Sequence, residues 1–240
     1  MGINKNNFEI IIDTSAPNSL IALLKDKRIL SKCEWESNNN ESKTLLKNIN
    51  YLIKKNNLNI QSCNKIFVVI GPGGFSSLRI GVSTAKGLSI ILGIPLIPIP
   101  TLLSSAMEFI TENYKVMSIT ECSKGTFYSK VYNGLQDINY ETQKEYISFE
   151  IITVNDIINF SKKENIIIAS SNPNIKTNEY IQNNKLENFI SLTSNKIQSI
   201  IRIEQKYKAL LNNLETISIN PVYANSGQIS SALTTLKKGE

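Results

Sequence analysis

The sequence of 240 residues contains no histidine. A Ser–His or Cys–His nucleophile pair is therefore excluded, and so are zinc or iron sites that need imidazole ligands. Only three cysteines are present, Cys33, Cys63 and Cys122, and they are far apart and form no CxxC pair. We expect buried free thiols in a reducing compartment rather than disulfides.

Long apolar runs are also missing. The longest, Ile90–Pro100, is interrupted by Gly93, Pro95 and Pro98, whereas a membrane-spanning helix needs about 20 apolar residues. The first apolar run, Phe8–Ile12, lacks the basic stretch and small-residue cleavage site of a signal peptide. These features predict a soluble cytoplasmic protein.

The composition is that of a folded protein, because 41% hydrophobic and 19% charged residues suit neither a disordered chain nor an integral membrane protein. The length allows one large domain or two smaller ones, each with its own core. The chain has 26 basic and 20 acidic residues. This mild basicity suits an anionic partner such as RNA, but plain solubility is the favoured explanation because the sequence has no dense basic cluster.

Hydrophobic patterns in the first hundred residues predict the element order β-β-β-α-β-α-β. Three short strands, beginning with Phe8–Asp13, precede a helix over Glu41–Asn56 that carries one apolar stripe. Lys65–Ile70 is typical of a buried strand, Ser76–Leu92 of a helix, and Ile94–Ile99 of a final strand. This order matches the ribonuclease-H-like unit that actin-like ATPases repeat.

The second half predicts a looser copy of the same unit. Leu102–Thr111 is typical of a helix, Val116–Glu121 and Thr126–Tyr132 of paired strands, and Tyr146–Thr153 is a candidate third strand. Asn195–Leu211 is typical of a long amphipathic helix. We therefore predict an α/β protein with the actin-like ATPase (ASKHA) fold, built from two ribonuclease-H-like lobes, each a mixed sheet with helices. The predicted lobes are residues 1–100 and 101–240, and the helix near residues 195–211 is a candidate to pack back on the first lobe.

Residues 71–87, GPGGFSSLRIGVSTAKG, lie between a predicted strand and a predicted helix. The phosphate-loop pattern GxxxxGK[ST] fails because Ser76 stands where its second glycine belongs, and GxGxxG fails as well. An anion at the helix N-terminus is still an open alternative. A structural role is favoured: Gly73 and Gly74 allow positive φ and a sharp turn, and the loop would then either anchor or present Phe75.

Small residues recur every four positions in the helix that follows: Ser77, Gly81, Ala85 and Ser89. Another element can lie close to such a stripe, either the chain's own sheet or another subunit. Each glycine costs a helix about 1 kcal/mol relative to alanine, so compensating contacts are expected at Gly81 and Gly87. Arg79 and Lys86 lie on one side of the helix and could face acidic groups of a partner, a nucleotide or solvent.

Asp13 follows the first strand, where actin-like ATPases place an aspartate that helps to position metal and nucleotide. The hairpin Glu121–Thr126 of the second lobe has a single glycine, which predicts poor phosphate cradling and no efficient hydrolysis by this chain alone. The alternative function is that of an independent ATP-dependent phosphotransferase or hydrolase, with Asp13 and Glu121 around a metal.

Residues 8–105 resemble the bacterial TsaB (YeaZ) family, which takes part in making N6-threonylcarbamoyladenosine in tRNA. The resemblance rests on three segments: IDTS at 12–15, GPGGFSSLRIGVSTAKGL at 71–88 and GIPL at 93–96. The sequence departs from the family where Glu41 or Ser42 replaces a frequent histidine. It also departs in the second-lobe segment 121–128 and in PVYAN at 221–225.

The resemblance implies a non-catalytic subunit without a metal site that pairs through its first lobe with TsaD, the homologous metal- and substrate-binding subunit. TsaE, an ATPase, binds that pair, and TsaD transfers threonylcarbamoyl to the adenosine beside the anticodon. The chain would therefore contact tRNA only indirectly, through the complex. The resemblance also implies that the chain forms a homodimer when it is alone. It implies no tightly bound cofactor, although an adenine nucleotide is a candidate ligand at the partner interface. The expected interface residues are Leu45, Ile49, Gly73, Gly74, Phe75, Ser77, Arg79, Gly81, Ala85 and Lys86.

Overall fold

Two five-stranded sheets organise the chain. The structure is a computed structural model, and it describes residues 7–37, 41–111, 113–123, 125–138, 147–162, 166–170, 189–191, 196–214 and 219–223. The contacts between residues divide the chain into two units, Met1–Ile99 with Glu204–Pro221, and Pro100–Ile203 with Val222–Glu240. No helix in the described ranges is both long and apolar enough to cross a membrane.

The first unit contains one sheet and two long helices. Its strands are β1 (Phe8–Asp13), β2 (Asn18–Lys25), β3 (Arg28–Glu36), β4 (Cys63–Gly71) and β5 (Leu96–Pro100), and its helices are α1 (Glu41–Lys55) and α2 (Phe75–Leu92). The strand order is β3-β2-β1-β4-β5. Strand β1 is antiparallel to β2 and parallel to β4, with Ile11 opposite both Ala22 and Phe67, and β2 is antiparallel to β3. A 3-10 turn, Ile60–Ser62, precedes β4.

The local patterns explain these elements. Strands β1 and β4 have mostly apolar sequences and are therefore buried in the middle of the sheet. Helix α1 buries most of its predicted apolar stripe, namely Leu45, Ile49, Leu52 and Ile53. Leu46, which the pattern also placed on the stripe, is 51% exposed. Helix α2 ends at Gly93, whose φ of 64° lies in the left-handed region that glycine adopts readily, as predicted.

The second unit contains the other sheet. Its strands are β6 (Lys115–Ser123), β7 (Thr126–Tyr132), β8 (Glu150–Thr153), β9 (Ile166–Ser170) and β10 (Phe189–Ser191), and its helices are α3 (Thr101–Ala106) and α4 (Val154–Ser161). The last helix, α5 (Lys196–Leu214), has residues 196–203 in this unit and residues 204–214 in the first unit. The strand order is β10-β9-β6-β7-β8. Strand β6 is antiparallel to β7 and parallel to β9, β7 is antiparallel to β8, and β9 is parallel to β10.

The two sheets have the same topology. In each, three consecutive strands form an antiparallel meander, and the fourth strand pairs with the first in parallel. The fifth strand lies beside the fourth in both. The predicted repeat of one β-β-β-α-β unit is therefore confirmed in the strand order, with Met117, Ile119 and Phe127 in the core of the second unit.

Two boundaries in the second half differ from the predicted ones, and one strand was not predicted. The predicted helix over Leu102–Thr111 is shorter in the structure, where α3 ends at Ala106. The residues after it form turns, in which the Ile110 amide donates a hydrogen bond to the Ala106 carbonyl oxygen. The expected strand from Tyr146 begins at Glu150, and Tyr146 itself lies outside the described residues. Strand β10 was not predicted, since three residues are too few for a periodic signal.

Helix α2 passes very close to the turn that follows β1. A Cβ atom added to Gly81 would lie 2.2 Å from Thr14 Oγ1 and 3.2 Å from its Cγ2. The Thr14 hydroxyl donates a hydrogen bond to the Ser77 carbonyl oxygen at 2.8 Å, so it is held in that place. Around Gly87 nothing in the described chain lies within 4 Å of an added Cβ. The contact expected for Gly81 is therefore with the chain's own interior, and Gly87 has no such contact.

Three charged side chains meet at the edge of the first unit. Lys65 Nζ bonds Glu204 Oε1 and lies 3.5 Å from Glu9 Oε1. Burial raises the pKa of Glu9, the charge of Glu204 adds to this effect, and Lys65 opposes it. Burial also lowers the pKa of Lys65, but the bond to Glu204 and the charges of both carboxylates outweigh it, so that the pKa of Lys65 is raised.

The two helical glycines give opposite predictions. Gly81→Ala forces a methyl group into Thr14 and should lower the free energy of unfolding by about 1–3 kcal/mol. Gly87→Ala meets no obstacle and should raise it by up to about 1 kcal/mol through helix propensity. Urea unfolding of both variants followed by circular dichroism measures the difference. Equal effects of the two substitutions would contradict the close contact at Gly81.

The raised pKa of Glu9 predicts a pH-dependent stability. The folded chain disfavours the ionised form of Glu9. The protonated Glu9 side chain therefore contributes to stability at low pH, and this contribution is lost as the pH rises through the raised pKa. Glu9→Gln should therefore gain stability relative to the parent as the pH increases from about 4 to 7. The control is Glu34→Gln, an exposed glutamate paired with Lys32 at 2.7 Å. A constant difference from the parent for Glu9→Gln across this range would refute the prediction.

Candidate functional site

The turn after β1 is fixed by the last residue of that strand. The Asp13 side chain is completely buried, and its Oδ1 accepts hydrogen bonds from the Ser15 amide at 2.9 Å and the Ser15 hydroxyl at 2.6 Å. An aspartate that bonds a backbone amide two residues ahead stabilises a turn. Thr14 and Ser15 are buried with it, so the chain leaves β1 in one defined direction.

The loop before α2 lies directly on that turn. The Gly74 amide donates to the Ser15 carbonyl oxygen at 3.1 Å, and a Cβ on Gly73 would lie 2.2 Å from the same oxygen. Positive φ was expected at Gly73 and Gly74, but it occurs at Gly71, with φ of 108°. That expectation was wrong. Gly73 is required because a side chain there would collide with the Ser15 carbonyl oxygen, and Gly74, which immediately precedes the helix, has φ of −58°.

A second set of hydrogen bonds joins the start of α1 to the start of α2. The Ser37 hydroxyl donates to Glu41 Oε1 and lies 3.0 Å from the Ser77 hydroxyl. Glu41, the first residue of α1, is 1% exposed, whereas Ser42 is exposed. The buried carboxylate of Glu41 therefore links the starts of the two helices through Ser37.

Phe75 and Arg79 point outward from this well-bonded corner. Phe75 is the first residue of α2 and is 57% exposed, and the Arg79 guanidinium carbon lies 5.2 Å from the centroid of its ring. Of the two roles expected for Phe75, anchored or presented by the loop, its exposure fits the second, but the helix and not the loop carries it. An exposed aromatic ring beside an arginine is a combination that protein interfaces favour.

The other predicted interface residues differ in accessibility. Gly74 is exposed, and Gly73, Ser77 and Lys86 are half-buried. Lys86 Nζ donates to Asn220 Oδ1 at 3.2 Å, so it is engaged within the chain. Four of the ten are buried: Leu45, Ile49, Gly81 and Ala85. Because these four residues are buried within the first unit, they do not contribute to its exposed surface.

The residues considered for metal or phosphate binding have other surroundings in the described part of the chain. Within the described ranges, no group of three or more Cys, Asp or Glu side chains is placed to hold a metal ion. Asp13 is engaged by Ser15, and Glu121 is exposed on β6 in the other unit. The Gly74 amide, one of the donors that an anion at the α2 N-terminus would use, is bonded to Ser15.

Three residues of the site were not identified from the sequence: Thr14, Ser15 and Ser37. Hydroxyl residues after a strand signal a turn, so the first two carry a weak local signal. Their partners Gly74 and Ser77 lie about sixty residues further along the chain, and no local pattern indicates which distant residue a hydroxyl will meet.

The sequence of the chain is similar to that of proteins of tRNA threonylcarbamoyladenosine biosynthesis. The sequence model of the TsaD family, described as tRNA N6-adenosine threonylcarbamoyltransferase, matches residues 36–200. Two curated relatives are called tRNA threonylcarbamoyladenosine biosynthesis protein TsaB. The one from Buchnera aphidicola subsp. Baizongia pistaciae is 33% identical over 134 residues, covering 52% of this chain and 60% of the relative. The one from Bacillus subtilis is 29% identical over 129 residues, covering 52% and 56%. The chain thus matches less than two thirds of either relative's length.

A solved structure extends the likeness to nearly the whole chain. It is described as an uncharacterized protein with similarity to peptidase YeaZ from Pseudomonas aeruginosa. The TM-score is 0.65 at 16% identity, with 91% of this chain and 100% of that chain covered. At this identity the likeness concerns the fold, and with the repeated strand order it identifies the actin-like α/β fold. The chain belongs to the TsaD family, and its curated relatives place it with the TsaB (YeaZ) proteins of that family.

Proposed function

We propose that the chain is a non-catalytic subunit that binds TsaD and activates it in the N6-threonylcarbamoyladenosine modification of the tRNA adenosine beside the anticodon. The family and the names of the curated relatives support a part in this biosynthesis. The observation that carries the proposal is the outward-facing pair of Phe75 and Arg79 on a firmly bonded helix start.

The support beneath this pair favours a docking role. Its backbone is fixed by the bond from the Gly74 amide to Ser15 and by the bond from Thr14 to Ser77. A surface that is already ordered loses little conformational entropy when a partner binds. Large exposed aromatic and arginine side chains on such a surface typically contribute much of the binding free energy.

The division of labour follows from what the chain contains. Without histidine it cannot supply an imidazole metal ligand, so in the proposed complex the metal and the substrate belong to TsaD. TsaE joins the pair, tRNA is contacted through the complex, and an adenine nucleotide at the interface is part of the same proposal. The alternative of an independent ATPase has no support from the engaged Asp13.

Phe75→Ala and Arg79→Glu test the proposal. Each should weaken binding to TsaD by about tenfold or more, since loss of a central interface residue typically costs 2 kcal/mol or more. Titration calorimetry gives the affinity, and light scattering after gel filtration gives the mass of the complex. Both positions are exposed, so the melting temperature should change little.

The matched control is Tyr114→Ala, which removes an aromatic side chain that is 44% exposed in the second unit. It should bind TsaD as the parent does. Substitution of Gly81 or Ala85 would not be informative, because these buried positions would disturb the fold itself. Parental affinity in both Phe75→Ala and Arg79→Glu would contradict the proposed docking surface.

A further inference from the structure

Basic side chains collect at one end of the first unit, where the turn between β2 and β3 lies near the end of α1. Asn56, which follows α1, donates a hydrogen bond from Nδ2 to Ser31 Oγ at 2.7 Å, so the helix ends beside β3. Three residues of strand, about 10 Å, separate Ser31 from Arg28 at the turn. Five cations lie here and are defined as the basic end: Lys25, Lys27, Arg28, Lys54 and Lys55.

The basic end carries an excess of positive charge. Asp26 is the only acidic residue in the β2–β3 turn or in the last turn of α1, so these two turns hold four of the six net positive charges of the sequence. In the described part of the chain, none of the five cations forms a salt bridge. The carboxylates of Glu9 and Glu204 lie at the same end, but both contact Lys65. The five cations are therefore available to an anionic partner.

Lys27 occupies a backbone position that favours glycine. Lys25 pairs with Arg28 across the hairpin, and the two residues between them, Asp26 and Lys27, have φ of 51° and 60°. A two-residue turn with positive φ at both positions is a type I′ turn, in which glycine is preferred at the second position. A larger residue there strains the backbone. The lysine thus costs the hairpin some stability and places a charge at its tip.

Helix stability explains the lysines of α1 but not the cations of the hairpin. Lys54 and Lys55 lie in the last turn of α1, where the helix dipole favours cations. Strand β3 is an edge of its sheet, and charges along an edge strand discourage pairing with another chain. That protection does not need a lysine in the turn itself. Lys27 therefore suits a contact with something outside the chain.

The chemistry of the basic end fits the phosphate backbone of RNA. Lysine and arginine side chains supply the charge that binds phosphates, and over about 10 Å a nucleic-acid strand carries several of them. An aromatic ring lies beside one of the cations: Tyr51 is 55% exposed, and Lys55 Nζ lies 5.9 Å from its ring centroid. Unpaired bases stack on such rings. Both parts of a nucleotide thus have a matching group here.

Aliphatic side chains next to the turn raise the alternative of a lipid surface. Ile29 and Leu30 are each 40% exposed, and basic surfaces with apolar side chains bind anionic membranes. Successive residues of a strand point to opposite faces of the sheet, so these two side chains do not enter one surface together. RNA is therefore the partner that the basic end fits better.

Resting on the proposed function, we infer that the basic end contacts the phosphate backbone of the tRNA that TsaD modifies. The chain would then bind RNA directly and not only through its partner. Helix α1 begins beside the start of α2, which carries Phe75 and Arg79, and is about 22 Å long. The basic end lies at the far end of α1, so TsaD and RNA can be bound at the same time.

Lys27→Gly separates this role from a structural one. The variant loses one charge and the backbone strain together, so its melting temperature should stay the same or rise by up to about 4 °C. Its affinity for RNA should fall about threefold or more at 0.1 M sodium chloride. Fluorescence anisotropy of a labelled, unmodified tRNA transcript titrated with the full chain measures this affinity.

The salt dependence of RNA binding reports the number of phosphate contacts. Between about 0.05 and 0.2 M sodium chloride, the logarithm of the parent's binding constant should fall with the logarithm of the salt concentration with a slope of about −3.5 to −4.5, as five contacts predict. The slope for Lys27→Gly should be smaller in magnitude by about one. Lys27 therefore has a signature that a general loss of folding would not produce.

Two variants serve as controls. Lys27→Arg keeps the charge and should bind the transcript as the parent does. Lys115→Gln removes one exposed lysine from the second unit, with the same change in net charge as Lys27→Gly, and should bind RNA within about twofold of the parent. Titration calorimetry should give all three variants the parental affinity for TsaD.

The outcomes separate the inference from the proposed function. Parental RNA affinity in Lys27→Gly, a lower melting temperature of this variant, or no RNA binding by the parent would each overturn the inference and leave the proposed function standing. Binding to phosphatidylglycerol vesicles that is lost in Lys27→Gly, while RNA binding is unchanged, would show a lipid surface and overturn the inference as well. Absence of TsaD binding to the parent would defeat the proposed function, whereas the RNA titration of the chain alone would still decide on the contact.

Discussion

The structure of the first unit depends on the close approach of helix α2 to the turn that follows β1. Two glycines make this approach possible, because a Cβ at Gly73 would strike the Ser15 carbonyl and a Cβ at Gly81 would strike Thr14. The same proximity lets Ser15 accept from the Gly74 amide and Thr14 donate to Ser77. These bonds join the N-terminal turn of α2 to the buried end of the central strand. Close packing and hydrogen bonding act together here, and they determine where Phe75 is exposed.

The small-residue stripe of α2 serves the interior, and the function proposed for this surface depends on what the stripe supports. Gly81 and Ala85 are buried, so they bring the helix close to the chain's own sheet rather than to a neighbour. The outer surface is formed instead by the exposed ring of Phe75, by Arg79 and by the lysines of α1. Helices α1 and α2 thus have a closely packed inner side and a charged outer side. This arrangement is compatible with the proposed non-catalytic subunit, which binds a partner that carries out the reaction. The equal strand order of the two sheets means that the chain contains the same structural unit twice.

Much of the fold could be predicted because it depends on local patterns. The apolar run before Gly71 indicated β4, the stripe of Leu45 and Ile49 indicated α1, and Gly93 indicated the end of α2. The side of the molecule that a small residue faces could not be predicted, since Gly81 meets Thr14 across 67 positions of sequence. For the same reason the positive φ was assigned to the wrong glycines. Which glycine adopts that conformation depends on where the chain must pass, and only the tertiary structure specifies this.

Hydrogen–deuterium exchange of the full chain, measured alone and with saturating TsaD, tests the central claim that the outer side of α1 and α2 is the docking surface. The account predicts slower exchange of backbone amides within residues 41–55 and 74–80 in the complex, with α4 at Val154–Ser161 unchanged as an internal reference. Slower exchange confined to the second unit, with α1 and the start of α2 unchanged, would contradict it.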